Sequence, residues 1–293
     1  MKPRHTLTLL LLIAPWMLGT ATAQSNGSNS SYSRFGLGLL SDQSNSYNRS
    51  MGGVSQALRS GNRINFLNPA SYAAVDSLTF LFDVGMSVQR TRMVQDGTHV
   101  AANNTSFDFV TASFRMRKRL GMTLGFMPYT HIGYTFAQEL PIGTDYNTGE
   151  LITSPASFSG DGGLHEAFIG AGWEPLKGLS IGANVGLLWG NINHSVATAF
   201  SQNGATTTTD GSISTYYTAS LLTWKGDVGI QYQALLNNTN RLTIGATVGI
   251  GHPIHRDASY ISATNGGTAD TLTVAKAFEL PMTYSGGIAW EYA

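Results

Sequence analysis

The sequence predicts an all-β chain whose strands form a transmembrane antiparallel β-barrel, and three observations predict it. Long stretches alternate between large apolar residues and small or polar ones with a period of two, the period of a strand. Charged residues make up only 12% of the chain while glycine occurs 34 times, so the second face is small rather than ionic. Short and long connections alternate between these stretches, as they must in a chain that crosses a bilayer and returns.

Taken in order, the chain opens with Lys2 and Arg4, an apolar run from Leu7 to Leu18, and Ala21 and Ala23 around a cleavage site. This reads as a secretory signal peptide over 1–23, its apolar run shorter than the ~20 residues of a spanning helix. The segment 24–76 shows neither clean alternation nor a helical stripe, and its first residues, QSNGSNSSYS, form a low-complexity polar stretch. Strands are expected at 78–90, 104–117, 121–137, 164–173, 179–199, 213–233, 241–262 and 271–292.

The first strand sets Phe80, Phe82, Val84, Met86 and Val88 against Asp83, Gly85 and Ser87. The fifth sets Ile181, Val185, Leu187 and Trp189 against Ser180, Gly182, Asn184 and Gly186; the sixth sets Trp224, Val228, Ile230 and Tyr232 against Lys225, Asp227, Gly229 and Gln231. In the seventh, Ile244, Val248 and Ile250 oppose Thr243, Gly245, Thr247 and Gly249. Turns at 118–120, 174–178 and 235–240 are short; loops are expected at 91–103, 138–163, 200–212 and 263–270.

A soluble β-sandwich shows the same alternation but spends charged residues freely on its wet face. A transmembrane barrel turns the apolar face to lipid and must close so that every backbone group is paired. Phe80, Leu187, Trp224 and Val248 are therefore expected toward lipid, and Asn184, Thr247 and Asp227 away from it. Trp173, Trp189, Trp224 and Trp290 read as interface-girdle residues.

Other chemistries find little support. A net charge of zero gives no electrostatic case for nucleic acid, and the basic run Arg115, Arg117, Lys118, Arg119 sits at a turn. The absence of cysteine excludes disulfides, thiol nucleophiles, thiolate metal sites and lipoprotein anchors. His252 and His255 lie three apart on a strand, hence on opposite faces, and make no metal pair. Ser55 in Gly53-Val54-Ser55-Gln56-Ala57 lacks the second glycine of a nucleophile elbow. No enzyme, no cofactor and no metal is expected.

Six short pieces remain: Ser33-Arg34-Phe35-Gly36-Leu37-Gly38, Arg49-Ser50-Met51-Gly52-Gly53-Val54, Ile64 to Tyr72 with its Asn68-Pro69-Ala70, Gly125-Phe126-Met127-Pro128-Tyr129, Phe278-Glu279-Leu280-Pro281, and Tyr284 to Ala289. In these residues the chain resembles the FadL/TodX family of outer-membrane channels for hydrophobic compounds. The resemblance implies the outer membrane of a Gram-negative bacterium and an N-terminal hatch at 24–76 that plugs a barrel of about fourteen strands. Eight strands could not enclose such a hatch, so an incomplete chain lacking about six C-terminal strands, with an unclosed sheet, is expected.

The resemblance further implies passive uptake of a fatty-acid-like hydrophobic small molecule that leaves sideways through the wall. Its path would run by Phe66, Asn68, Pro69 and Ala70 in the hatch and through a lateral window at Phe126, Met127, Pro128, Tyr129 and Gly133, with Asn68-Pro69-Ala70 beside the bend. Proline cannot donate to a ladder, so Pro128 demands either such a gap or a plain bulge. Asn68 would hold the hatch turn through its side chain. The alternative function is a barrel of the same shape acting as a docking or assembly component of a secretion system, as in PorV-like proteins, with loop 138–163 meeting the protein partner. The expected partners are a hydrophobic small molecule or lipid, or a protein.

Overall fold

The computed structural model describes residues 30–95, 97–144, 149, 151–199, 212–237, 239–264 and 267–292. The expected signal peptide and most of the loop at 200–212 lie outside them. The fold is almost entirely antiparallel β-sheet. After the two-residue strand β1 (Leu39–Leu40) come β2 (Phe80–Gln95), β3 (Thr98–Arg117), β4 (Leu120–Pro128), β5 (Thr130–Thr144), β6 (Leu151–Leu176), β7 (Leu179–Ala199) and β8 (Ser212–Leu235). The last crossings are broken into β9 (Asn240–Gly249), β10 (His252–Ile254) and β11 (Ala258–Thr264), then β12 (Asp270–Val274), β13 (Phe278–Leu280) and β14 (Thr283–Tyr292).

Each crossing pairs with the next, so the order along the wall is the order in the chain. Two-residue turns tighten the joints between β3 and β4 and between β6 and β7, where Arg119 (φ 65) and Gly178 (φ 86) take the left-handed backbone that such hairpins need. Among the described residues β2 pairs only with β3 and β14 only with β9, so the sheet does not close on itself.

Three expectations about the strands need correction. Residues 138–144 and 151–163, expected as loop, continue β5 and β6, which pair from Ile132↔Gly162 to Thr144↔Leu151. The alternation there passes unnoticed because its outward members are Glu139, Ser157 and Ser159 rather than apolar residues. The expected loop at 91–103 is likewise strand up to the turn near Gly97. The expected strand 241–262 breaks at 250–251, at Gly251, and again at 255–257, and 271–292 breaks at 275–277 and 281–282, the latter at Pro281.

The N-terminal segment lies against one face of the sheet, touching β3, β4, β6, β7 and β8 through the 3-10 turn Pro69–Ala74 and β5 through the one at Ser31–Arg34. That covered face buries Thr111, Ser113, Thr123, Ser180, Asn184, Gln231, Thr243 and Thr247, whereas the bare face exposes Phe80, Ile169, Ile181, Val185, Leu187, Trp224, Val228, Ile230, Ile244 and Val248. A soluble protein arranges polarity the other way. Among the described residues no helix is long and apolar enough to cross a membrane.

Candidate functional site

The covered face is small because backbone lies directly on it. A Cβ on Gly121 would collide with the Tyr72 carbonyl, on Gly172 and Gly182 with Pro69, and on Gly245 with the Gln56 carbonyl. Into this glycine bed the sequence sets a turn that caps itself: the fully buried Asn68 accepts from the Ala70 N–H at 3.1 Å, and Pro69 starts the 3-10 turn with φ already set.

The remaining polar atoms are matched across the junction. Asn68 Nδ2 donates to the Gln56 carbonyl at 2.7 Å, which also accepts from Gln231 Nε2 at 2.9 Å. Tyr72 donates its hydroxyl to Asn184 Oδ1 at 3.0 Å, and Asn184 Nδ2 donates to the Phe66 carbonyl at 3.0 Å. Burial pushes the Tyr72 phenol well above its ordinary range, so this bond does not titrate.

Nearer the turns, Arg59 Nη2 meets Glu174 Oε2 at 3.0 Å, with both side chains largely buried. Burial lowers the guanidinium's affinity for its proton, while Glu174 opposes that effect. Apolar contacts complete the junction: Phe66 packs on Phe109 and Phe168 with ring centroids 5.7 and 6.0 Å apart, in one cluster with Ile64, Tyr72 and Met127.

Above the junction lies a cavity of about 410 Å³ lined by Gln43, Phe66, Met127, Tyr129, Glu166 and Lys225, among others. Lys225 Nζ donates to Glu166 at 3.2 Å and also pairs with Asp227, so the wall of this cavity is ionic. A second cavity, of about 480 Å³, opens higher on the same face among Arg34, Tyr134, Ile192, His194, Val196 and Phe278.

Pro128 marks both a bulge and a divergence of the wall. On one side the chain stays paired with β6, Pro128 opposite His165 and Ile132 opposite Gly162, with one extra residue absorbed between them. Gly163, at φ 136, leaves no room for a Cβ beside the Thr130 carbonyl. On the other side the β3–β4 ladder stops at Val110↔Phe126. β1 takes up the edge so released, with Leu39 opposite His131, Leu40 opposite Thr130 and the Ser41 N–H donating to the Tyr129 carbonyl at 2.9 Å.

The expected site residues are therefore not brought into one place. Asn68, Pro69 and Ala70 lie in the glycine bed, away from the bend; the chain bordering the bend is 33–43, with Gln43 Nε2 donating to the Pro128 carbonyl at 3.3 Å. Phe66 and Met127 meet in the apolar cluster. Phe126 stacks with His165 and packs on Trp189, both at 5.9 Å, in a belt on the bare face, and the Gly133 N–H donates to Ser33 Oγ at 3.2 Å. Of the histidine pair, His252 stacks on Trp224 at 4.3 Å. Among the described residues no group of His, Asp and Glu is placed to hold a metal. Arg59–Glu174 and Glu166–Lys225 were missed in the sequence, since no local pattern joins residues 115 and 59 positions apart; Lys225 and Asp227, two apart on one face, were the local signal.

Strands bare and apolar on one side, small and polar under a chain segment on the other, define an antiparallel wall of the β-barrel type. The sequence matches the BamG family over residues 5–290, and the chain belongs to that family. The motifs that suggested FadL/TodX thus mark a shared shape rather than membership. A solved structure titled "TodX deltaS2S3 mutant monoaromatic hydrocarbon channel" is similar at 17% identity and TM-score 0.51, over 85% of this chain and 66% of that one. The toluene transporter TodX of P. putida is similar at 15% identity and TM-score 0.43, over 82% and 65%. The chain spans about two thirds of the length of these structures, and the likeness to the first is one of fold. No curated protein matches the sequence.

Proposed function

We propose that the chain is a plugged wall of a Gram-negative outer-membrane β-barrel that serves as a docking or assembly component for a protein partner, without catalytic activity. The observation that carries this reading is the height of the strands against the height of their apolar band. A spanning strand needs about 9–11 residues, whereas β6, β7 and β8 have 26, 21 and 24. On the bare face the apolar run goes from Ile181 to Trp189 in β7 and from Tyr232 to Leu222 in β8, and is then replaced by Asn191, Asn193 and Ser195 and by Ser220 and Thr218. A tall, polar β-surface thus rises beyond the bilayer, where a partner can be held.

The interior supports docking over passage. The N-terminal segment, from Ser44 to Ala74, is seated on glycine backbone and bonded through buried amides, as an expected hatch would be, the cavity above it is ionic, and β1 fills the foot of the divergence at Pro128. One specific observation favours the second reading, uptake of a hydrophobic small molecule with lateral exit: the aromatic-lined cavity at Tyr134, Ile192 and Phe278 lies on the same face as that divergence. The tagged protein purified from native membranes in mild detergent tests the two. A stoichiometric protein partner, with no gain in toluene entry into liposomes carrying the chain, is expected. Toluene entry that rises with the amount of chain, in the absence of any partner, would establish the channel instead.

A further inference from the structure

Beyond Phe126 the wall divides, and among the described residues no ladder joins β3 residues 98–109 to β5. β1 fills only the foot of this division, at Thr130 and His131. The Gly133 N–H points across it to Ser33 Oγ. Because strand residues alternate sides, the N–H and C=O groups of Thr135, Ala137 and Glu139 point the same way, while those of Tyr134, Phe136 and Gln138 serve β6. The row ends at Pro141, which has no N–H; proline on the open side of an edge strand stops further pairing.

We propose that this division is an acceptor slot for an extended segment of a partner protein, added as a β-strand to the β5 edge above β1. The inference rests on the docking reading and names its site. β1 already shows the slot accepting extended backbone in the required antiparallel sense. The edge lies beyond the apolar band, with Thr135, Ala137 and Glu139 exposed, so an acyl chain would bring no hydrogen bonds to its peptide groups. On the covered side Tyr134 and Phe136 pack with their ring centroids 5.7 Å apart, and Phe136 stacks on Phe158 at 5.0 Å, giving alternate side chains of an added strand aromatic surfaces to meet. Leu37, at the foot, packs against the same cluster.

Photoreactive residues placed at Thr135 and Ala137, with Asn193 and Ala197 of β7 as controls, test the slot in protein purified from native membranes. Adducts of one fixed protein mass at 135 and 137, and none at the controls, are expected. A co-purifying partner that crosslinks only elsewhere overturns the slot and leaves docking intact; no partner at all overturns both; lipid adducts at 135 overturn the slot. Thr135→Pro with Ala137→Pro removes two donors facing the slot and spares the β5–β6 ladder. Partner recovery should fall about tenfold, the effect of two hydrogen bonds, with unchanged thermal midpoint, while Thr135→Ser keeps it. Undiminished recovery with the double proline variant overturns the proposal.

Discussion

Along β7 the covered face reads Ser180, Gly182, Asn184 and Gly186, then Leu188, Ile192 and Val196; the bare face reads Ile181, Val185 and Leu187, then Asn191, Asn193 and Ser195. The two faces exchange character partway up one strand. In the turn half, apolar residues point outward and the interior is small and polar. In the loop half the order is that of a soluble protein, with a core of Ile132, Tyr134, Phe158, Leu164, Ile192, Leu221 and Ile254 under an outer surface of serine, threonine and asparagine. Alternation alone does not say which face is buried; the surrounding medium does, and on the proposed reading it changes from lipid to water near Trp189 and His165.

This contrast can be broken most severely at the bed of the turn half. Gly182→Val drives a branched side chain into the Pro69 backbone and should cost about 3 kcal/mol or more, seen as a fall in thermal midpoint, whereas Ala183→Val on the bare face should cost almost nothing. Arg59→Ala strands the buried Glu174 and should cost about 3–5 kcal/mol by the same assay, with Glu174→Leu added to the variant restoring most of it. The neighbouring leucines sharpen the comparison: Leu188 is 0% exposed and Leu187 49%. Leu188→Ala should cost about 2–5 kcal/mol through the cavity left behind, and Leu187→Ala much less.

A charge reads the boundary between the halves directly. Val185→Arg, in the apolar band, should cost about 2–4 kcal/mol of folding in lipid, while Asn193→Arg should stay within about 0.5 kcal/mol. The smallest effect is expected at the bend. Pro128→Ala should shift stability by less than about 1 kcal/mol, because Gly162 and Gly163 hold the bulge from the β6 side whichever residue stands opposite.

The turn half was legible in the sequence because lipid demands apolar side chains at every second position, and Phe80 to Val88 supply large ones throughout while Ile181 to Trp189 do so but for Ala183. The self-capping of Asn68-Pro69 was legible for a local reason, a short amide and a ring that fixes φ. The loop half was not. From Leu151 to Gly163 the outward residues Thr153, Pro155, Ser157 and Ser159 have the composition of a loop, and only their pairing with β5 makes them strand. Kinks at 250–257 and 275–282 were hidden because alternation resumes after each. The bonds seating the N-terminal segment, Arg59 to Glu174 and Gln56 to Gln231, link residues 115 and 175 positions apart, and their geometry is a product of the fold. Family membership was equally beyond the short motifs, which report a shape this chain shares with TodX.

A cysteine scan along β7, made clean by the absence of native cysteine, tests the account most directly. Single cysteines from 180 to 196 in the lipid-reconstituted chain would be labelled with a water-soluble maleimide and, separately, with a fluorophore read by a lipid-borne quencher. Quenching at 181, 183, 185 and 187, maleimide labelling at 191, 193 and 195, and protection from both at 182, 184, 186 and 188 are the expected result. Maleimide labelling of 181 to 187 equal to that of 191 to 195 would contradict it, since the turn half would then stand in water and the wall would not cross a membrane.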